Sequence, residues 1–189
     1  MDPRERVRQW LADAPRGSRN WASGGCTWFD ARVFAVGFFA NTDELLVLSH
    51  SASVVVAESG AQRLVDAEVD AVRLIATVDG QRVRIAGVSG GGLPRTTHDG
   101  WSVRVVSLDW PSEVAFLQPP GSHAWHGECV VVDESNAPFR AVGFSDTGTM
   151  LVVATDETVE RWRRVPAKAG ATGTSTRHPL ETWGARFDP

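Results

Sequence analysis

His123, His126 and Cys129 follow one another at intervals of three residues, and two imidazoles with a thiolate are donors that a zinc ion takes. That spacing suits one face of a helix, whereas Pro119, Pro120 and Gly121 just upstream indicate a loop. The reading adopted is a solvated loop beside a small buried Cys; metal is the alternative, with Cys26 as a fourth ligand only if two halves of the chain face each other. Ser89-Gly90-Gly91-Gly92 offers backbone N–H groups to a phosphate, but no Lys-Ser or Lys-Thr follows and no helix start is apparent, so no nucleotide or other cofactor is implied. Arg161-Trp162-Arg163-Arg164 joins cations to an aromatic ring, a combination that stacks on bases or docks on acidic surfaces. On a strand, Arg161 and Arg163 share one face and Trp162 takes the other, which gives solvated arginines flanking a core ring. Asp66, Glu68 and Asp70 likewise share a face; without a His, Lys or metal partner they form a solvated edge rather than an acid–base pair.

The surrounding composition narrows the classes. The chain has 189 residues, 42% of them apolar, enough for the core of one compact domain. Its net charge of -4, from 19 basic and 23 acidic residues, argues against a phosphate backbone as the main partner. No apolar run reaches the roughly 18 residues of a membrane helix, and the opening MDPRERVRQW lacks the apolar stretch of a secretory signal. The expectation is a cytoplasmic protein with no membrane partner, its two cysteines, Cys26 and Cys129, remaining thiols. Lys168 is the only Lys, all other basic residues being Arg, and eight Trp stand against no Tyr. Large rings with a single donor suit sheet packing or an interface.

Asp2 and Pro3 make a helix start, and Val7, Trp10, Leu11 and Ala14 recur at helical spacing, predicting one helix over residues 3–14. From Trp21 onward the pattern changes to short β-branched or aromatic runs separated by turn residues. The runs are 33–39, 44–49, 53–57, 71–78, 81–88, 101–108, 113–118, 129–133, 139–144, 150–154 and 158–163. Asp79-Gly80 between two of them is a hairpin signal. Beyond Pro166 the chain turns small and polar, with Leu180, Trp183 and Phe187 able to dock a tail. The organisation is therefore a helix and connector (1–20), one β domain (21–166) and a linker with tail (167–189).

Ala35-Val36-Gly37-Phe38 and Ala141-Val142-Gly143-Phe144 are identical and lie 106 positions apart, and Leu45-Leu46-Val47 falls on Leu151-Val152-Val153 at the same offset. After a three-residue shift the match continues upstream, Gly25-Cys26 against Glu128-Cys129 and Asp30 against Asp133, which indicates an internal duplication. Within the second copy, Phe144-Ser145 closes a run, Asp146-Thr147-Gly148 turns, Met150 to Ala154 forms an apolar run, Asp156 turns, and Thr158-Val159 leads to Trp162. Residues 139–162 so arranged resemble a blade of a WD-repeat β-propeller, and 33–60 resemble it less closely. Runs starting near 71 and 101 would fill the gap. The resemblance implies an all-β fold, a small, partial or degenerate WD-like propeller of about four blades with a short N-terminal helix. It implies a non-enzymatic protein-binding or scaffold domain, with Trp101, Trp110 and Trp125 in or near loops as anchors and Arg161 and Arg163 beside them. Four blades are the lower limit for a closed ring. The expectation is that the chain pairs with a second copy, covers its edges with helix and tail, or folds as a related β-sandwich.

A second resemblance belongs to another class. Gly37-Phe38-Phe39 followed by Leu45-Leu46-Val47-Leu48-Ser49-His50 is similar to the strand-turn-strand that delivers the catalytic His of trypsin-like serine proteases, and residues 112–117 resemble the Asp-bearing strand. Glu113 stands where Asp is expected, and Gly173-Thr174-Ser175-Thr176 stands where Gly-Asp-Ser-Gly is expected. This alternative implies His50, Glu113 and Ser175 as the triad, active or not. A single-partner inhibitor or immunity-type protein is the third reading, sharing its binding chemistry with the scaffold.

Overall fold

Two kinds of strand are distinguishable by their side chains. Runs such as Leu45-Leu46-Val47-Leu48 and Met150-Leu151-Val152-Val153 are apolar at every position, as in a strand covered on both faces, while others alternate, as in a strand with one face in water. A computed structural model, which describes residues 3–87, 92–122 and 128–166, arranges them accordingly. Helix α1 (Pro3–Asp13) is followed by β1 (Trp21–Trp28), β2 (Val33–Phe38), β3 (Leu45–Ser49), β4 (Ser53–Val56), β5 (Gln62–Val65), β6 (Ala67–Asp70) and β7 (Ile75–Val78). Then come β8 (Gln81–Arg84), β9 (Ser102–Asp109), β10 (Ser112–Gln118), β11 (Val130–Ser135), β12 (Ala141–Phe144), β13 (Met150–Ala154) and β14 (Thr158–Arg164). Among the described residues the fold is all-β with one short helix.

Four small antiparallel sheets result, none of them closed on itself. Sheet A has the order β1-β14-β13-β12, sheet B β2-β3-β4-β5, sheet C β6-β7-β8 and sheet D β11-β10-β9. Their packing order follows from three shared cores. Val36, Phe38 and Val47 of B meet Val152, Ala154 and Val159 of A. Leu46, Leu48 and Val55 of B meet Ala76, Val78 and Val83 of C. Val142, Leu151 and Trp162 of A meet Val103, Ala115 and Leu117 of D. The sheets therefore stack as C, B, A, D, and the all-apolar strands β3 and β13 lie in the two middle layers, every residue of each buried. In the end layer C, Ala76, Val78 and Val83 point inward, while Glu68, Asp70, Arg82 and Arg84 line the opposite face. The outer face of D is covered by α1, whose Val7, Leu11 and Ala14 pack on Val114 and Val131. The helix thus caps a sheet face, whereas one of the three expected arrangements had it cover an edge together with the tail, which lies outside the described residues.

Ala86 and Pro94, which lie between C and D in the chain, bond to the inner edges of B and A. Val36 and Ala86 exchange both backbone hydrogen bonds, at 2.9 and 2.7 Å, and the Phe144 N–H donates to the Pro94 carbonyl at 2.8 Å. The repeated Gly makes these approaches possible. A Cβ on Gly37 would lie 2.3 Å from the Arg84 carbonyl oxygen, and one on Gly143 would lie 2.4 Å from Leu93 Cβ. The identical tetrapeptides occupy equivalent places: Gly37 is opposite Leu46 and Phe38 opposite Leu45, as Gly143 is opposite Val152 and Phe144 opposite Leu151.

Asp79-Gly80 forms the expected hairpin between β7 and β8, with φ of 51° and 78° at the two turn residues. The run 71–78 begins late, because residues 71–74 form a turn with Leu74 at φ 56°, leaving Ile75 to open β7. β1, β5 and β6 are additions to the strand runs read from sequence. β1 is rich in small and polar residues and carries a bulge between Ser23 and Cys26, so its apolar signal is weak.

Sheets A and B are also tied at their turns. Asp43, in the β2–β3 turn, accepts hydrogen bonds from Thr147 Oγ1 at 2.6 Å and Thr149 Oγ1 at 2.5 Å, in the β12–β13 turn. Partial burial works to raise the Asp43 pKa, but bonds from Thr147, Thr149 and Ser145, helped by the Arg163 charge, outweigh it and hold the carboxyl below its ordinary value. A carboxyl lowered on folding contributes stability that is present above its unfolded pKa and is lost as pH falls through the folded value. Asp43→Asn is expected to cost about 1 kcal/mol near neutral pH and to flatten the acid limb of stability, checked by urea denaturation between about pH 2.5 and pH 7. Gly37→Ala and Gly143→Ala are each expected to cost about 1–3 kcal/mol by overpacking against backbone and Leu93. Gly92→Ala, with open space around it, should leave the urea midpoint unchanged.

Candidate binding cleft

Expected site residues are scattered over the stack. Trp101 is 5% exposed, with its ring 6.0 Å from that of Trp21. The Arg164 guanidinium lies over both rings, 5.4 Å from Trp21 and 5.2 Å from Trp101, and donates to Asp99 at 2.5 Å. Trp101 is thus a core residue of the A–D junction and not an available anchor. Trp110, at the tip of the β9–β10 hairpin, is 78% exposed. Arg161 and Arg163 do share one face of β14, with Trp162 buried on the other. That face looks onto sheet B, however, so Arg161 is only 5% exposed, donating to the carbonyls of Ala57 at 2.9 Å and Gly24 at 3.2 Å. Burial lowers its pKa. Arg163 is exposed and pairs with Glu58.

The protease residues do not converge. His50 is exposed at the end of β3 in sheet B, its ring 5.3 Å from Phe34. Glu113, in sheet D, accepts a hydrogen bond from the Phe139 N–H at 2.7 Å, and sheet A stands between the two. Ser175 lies outside the described residues, as do Trp125, His123 and His126. Cys129 is buried, and among the described residues no group of three His, Cys, Asp or Glu is placed to hold a metal ion.

A cleft of about 560 Å³ opens instead between one end of sheet A and the neighbouring end of D. Strand alternation and register build it. Glu160 shares with Trp162 the face of β14 that looks onto D, and Cys26 is its cross-strand neighbour on β1. Asp133 reaches the same cleft from β11, and Trp28, 74% exposed, stands on the rim.

Charges in this cleft are unevenly balanced. Glu134 pairs with Arg16 at 2.6 Å, and Asp156 has Arg32 and Arg140 at 3.9 and 4.0 Å. Asp133 and Glu160 have no such cation among the described residues. Burial, then the Glu134 charge, raises the Asp133 pKa against a backbone hydrogen bond that lowers it. Burial, then the Asp133 charge, raises Glu160 against the Trp162 indole, which lowers it. The Cys26 thiol is pushed up by burial first and then by Glu160 and Asp133. A thiol so placed is a poor nucleophile, and the two carboxyls suit a cation or hydrogen-bond donors from outside.

One signal for this site was present in the chain. Thr158-Val159-Glu160-Arg161-Trp162 puts a carboxylate on the core side of a strand, an expensive placement. Cys26 and Asp133 join it only through a β1–β14 pairing across almost the whole chain and through the packing of two sheets.

Compared with family models, curated proteins and solved structures, the chain matches none. No helix among the described residues is long and apolar enough to cross a membrane.

Neutralising the two carboxyls should release the thiol. In Asp133→Asn/Glu160→Gln, alkylation of Cys26 by iodoacetamide near pH 8 is expected to be severalfold faster than in the parent, with Cys26→Ser subtracting any reaction at Cys129. An unchanged rate would separate the thiol from the carboxyls.

Proposed function

We propose that this chain is a non-enzymatic protein-binding domain on a partial, WD-like propeller body. One observation carries the binding reading: Trp28 and Trp110 are 74% and 78% exposed, and they flank one end of the A–D pair. Trp28 borders the cleft together with Ser135 of β11, and Ser135 is opposite Glu113 at the start of β10, just after the hairpin tip bearing Trp110. Large rings held in water are costly to leave uncovered and are frequent energetic anchors of protein interfaces. The propeller reading is supported by the common register of β2–β3–β4–β5 and β12–β13–β14–β1, two four-stranded units in which the same tetrapeptide forms the inner strand.

The test is affinity capture from the protein's own cells with quantification of the recovered partner, beside native mass spectrometry for stoichiometry. Trp28→Ala/Trp110→Ala is expected to recover at least about tenfold less partner, one or two anchors being worth about 2 kcal/mol or more, while its thermal midpoint stays near that of the parent. Trp101→Ala should instead lower the midpoint. Undiminished recovery by the double variant would remove this end of the molecule as the interface, and a stoichiometric dimer of the chain would make the partner a second copy.

A further inference from the structure

The molecule already shows how it holds a guanidinium. At the core of the A–D junction, Arg164 lies over the rings of Trp21 and Trp101 while Asp99 accepts its N–H groups. Asp99 is correspondingly held below its ordinary pKa, first by the hydrogen bond from Arg164. At the other end of the same junction the cleft has the matching parts without the cation: an exposed Trp28 and two partly buried carboxyls, Asp133 and Glu160.

The other acids at this cleft are already accounted for. Arg16 holds Glu134, while Arg32 and Arg140 stand by Asp156; Glu157 is exposed to water. What remains is a pair of like charges across a sheet-to-sheet seam, facing the thiol of Cys26 and served by no arginine of the described chain. Such a pair is stabilised by a positive group that enters from solvent. No three-ligand metal set exists there among the described residues. An aromatic face beside carboxylates favours a flat, delocalised cation with several N–H donors over a compact ammonium.

We propose that the cleft between sheets A and D binds an arginine side chain of a protein partner, Asp133 and Glu160 accepting its N–H groups and Trp28 stacking on its plane. This rests on the reading of the Trp28–Trp110 end as a protein interface. It adds that the partner presents a basic segment there. Entry of the cation expels protons from carboxyls that hold them more tightly than usual, so affinity rises as pH increases from about 4 to 7 and levels off once both are ionised.

The experiment is a titration of the full chain with the blocked peptide acetyl-Gly-Gly-Arg-Gly-Gly-amide, followed by backbone amide NMR. The same peptide with citrulline, which has the shape without the charge, is the control. Expected are saturable shifts centred on Cys26, Trp28, Asp133 and Glu160, at least about fivefold weaker binding of the citrulline peptide, and a similar loss in Asp133→Asn/Glu160→Gln and in Trp28→Ala. Equal binding of the citrulline peptide, shifts centred elsewhere, affinity independent of pH, or no saturation by about 10 mM peptide would each overturn the proposal. Partner capture keeps the two ideas apart. If the Trp28/Trp110 variant loses its partner while the peptide fails to bind, the interface stands and its arginine chemistry falls; if capture is also undiminished, both fall.

Discussion

Burial of sheets A and B on both faces is the constraint that the rest of the structure answers to. Each Val or Leu taken out of water there contributes about 1.5–3 kcal/mol, whereas an exposed ion pair contributes about 0–1 kcal/mol. The core of β2–β3 and β12–β13 therefore sets the order of the layers, and pairs such as Arg8–Asp109 adjust it. Double-sided burial also explains the repeated Gly. An inner strand with neighbours on both faces and a connecting segment along its edge has no room for a Cβ at Gly37 or Gly143. The end layers meet the same requirement differently: sheet C turns a charged face to water, and sheet D is covered by α1.

Arginine binds the layers together at their margins. Successive residues of β14 alternate in direction, so Arg161 and Arg163 reach sheet B while Arg164 reaches the Trp pair at the D side. Arg161 is buried against backbone carbonyls, with no carboxylate partner among the described residues, a placement suited to a guanidinium because its several donors can reach carbonyls from two different elements. One short strand thereby contacts both neighbouring sheets.

Four carboxyls fall into two groups with opposite consequences for acid stability. Asp43 and Asp99 are lowered, so folding holds them charged and loses that stabilisation as pH falls through their folded values. Asp133 and Glu160 are raised, so the seam between A and D gains stability as they take up protons. The structure is thus better satisfied at its A–B turns and at Asp99 in neutral solution, and at the Asp133–Glu160 end of the A–D seam in mild acid. Among the described residues, carboxyls without a paired cation gather beside the exposed Trp28.

Much of the architecture was legible in the chain because it depends on local alternation. Short β-branched and apolar runs announced most of the strands, Asp79-Gly80 announced its hairpin, and the opening Pro3-to-Ala14 pattern announced the helix. Trp162 on one face of β14 and Arg161 with Arg163 on the other also followed from a period of two. What lay beyond the chain was which of two faces meets protein and which meets water. Trp101 and Arg161 read as surface residues because polarity and turn proximity say nothing about a sheet that arrives from far away in sequence. The pairing of β1 with β14, the bonding of Ala86 and Pro94 to the inner edges, and the meeting of Cys26, Glu160 and Asp133 were decided only by tertiary structure. Composition and spacing determine strands because a strand is a local pattern; a cleft at a seam belongs to two sheets at once, and only their packing brings its residues together.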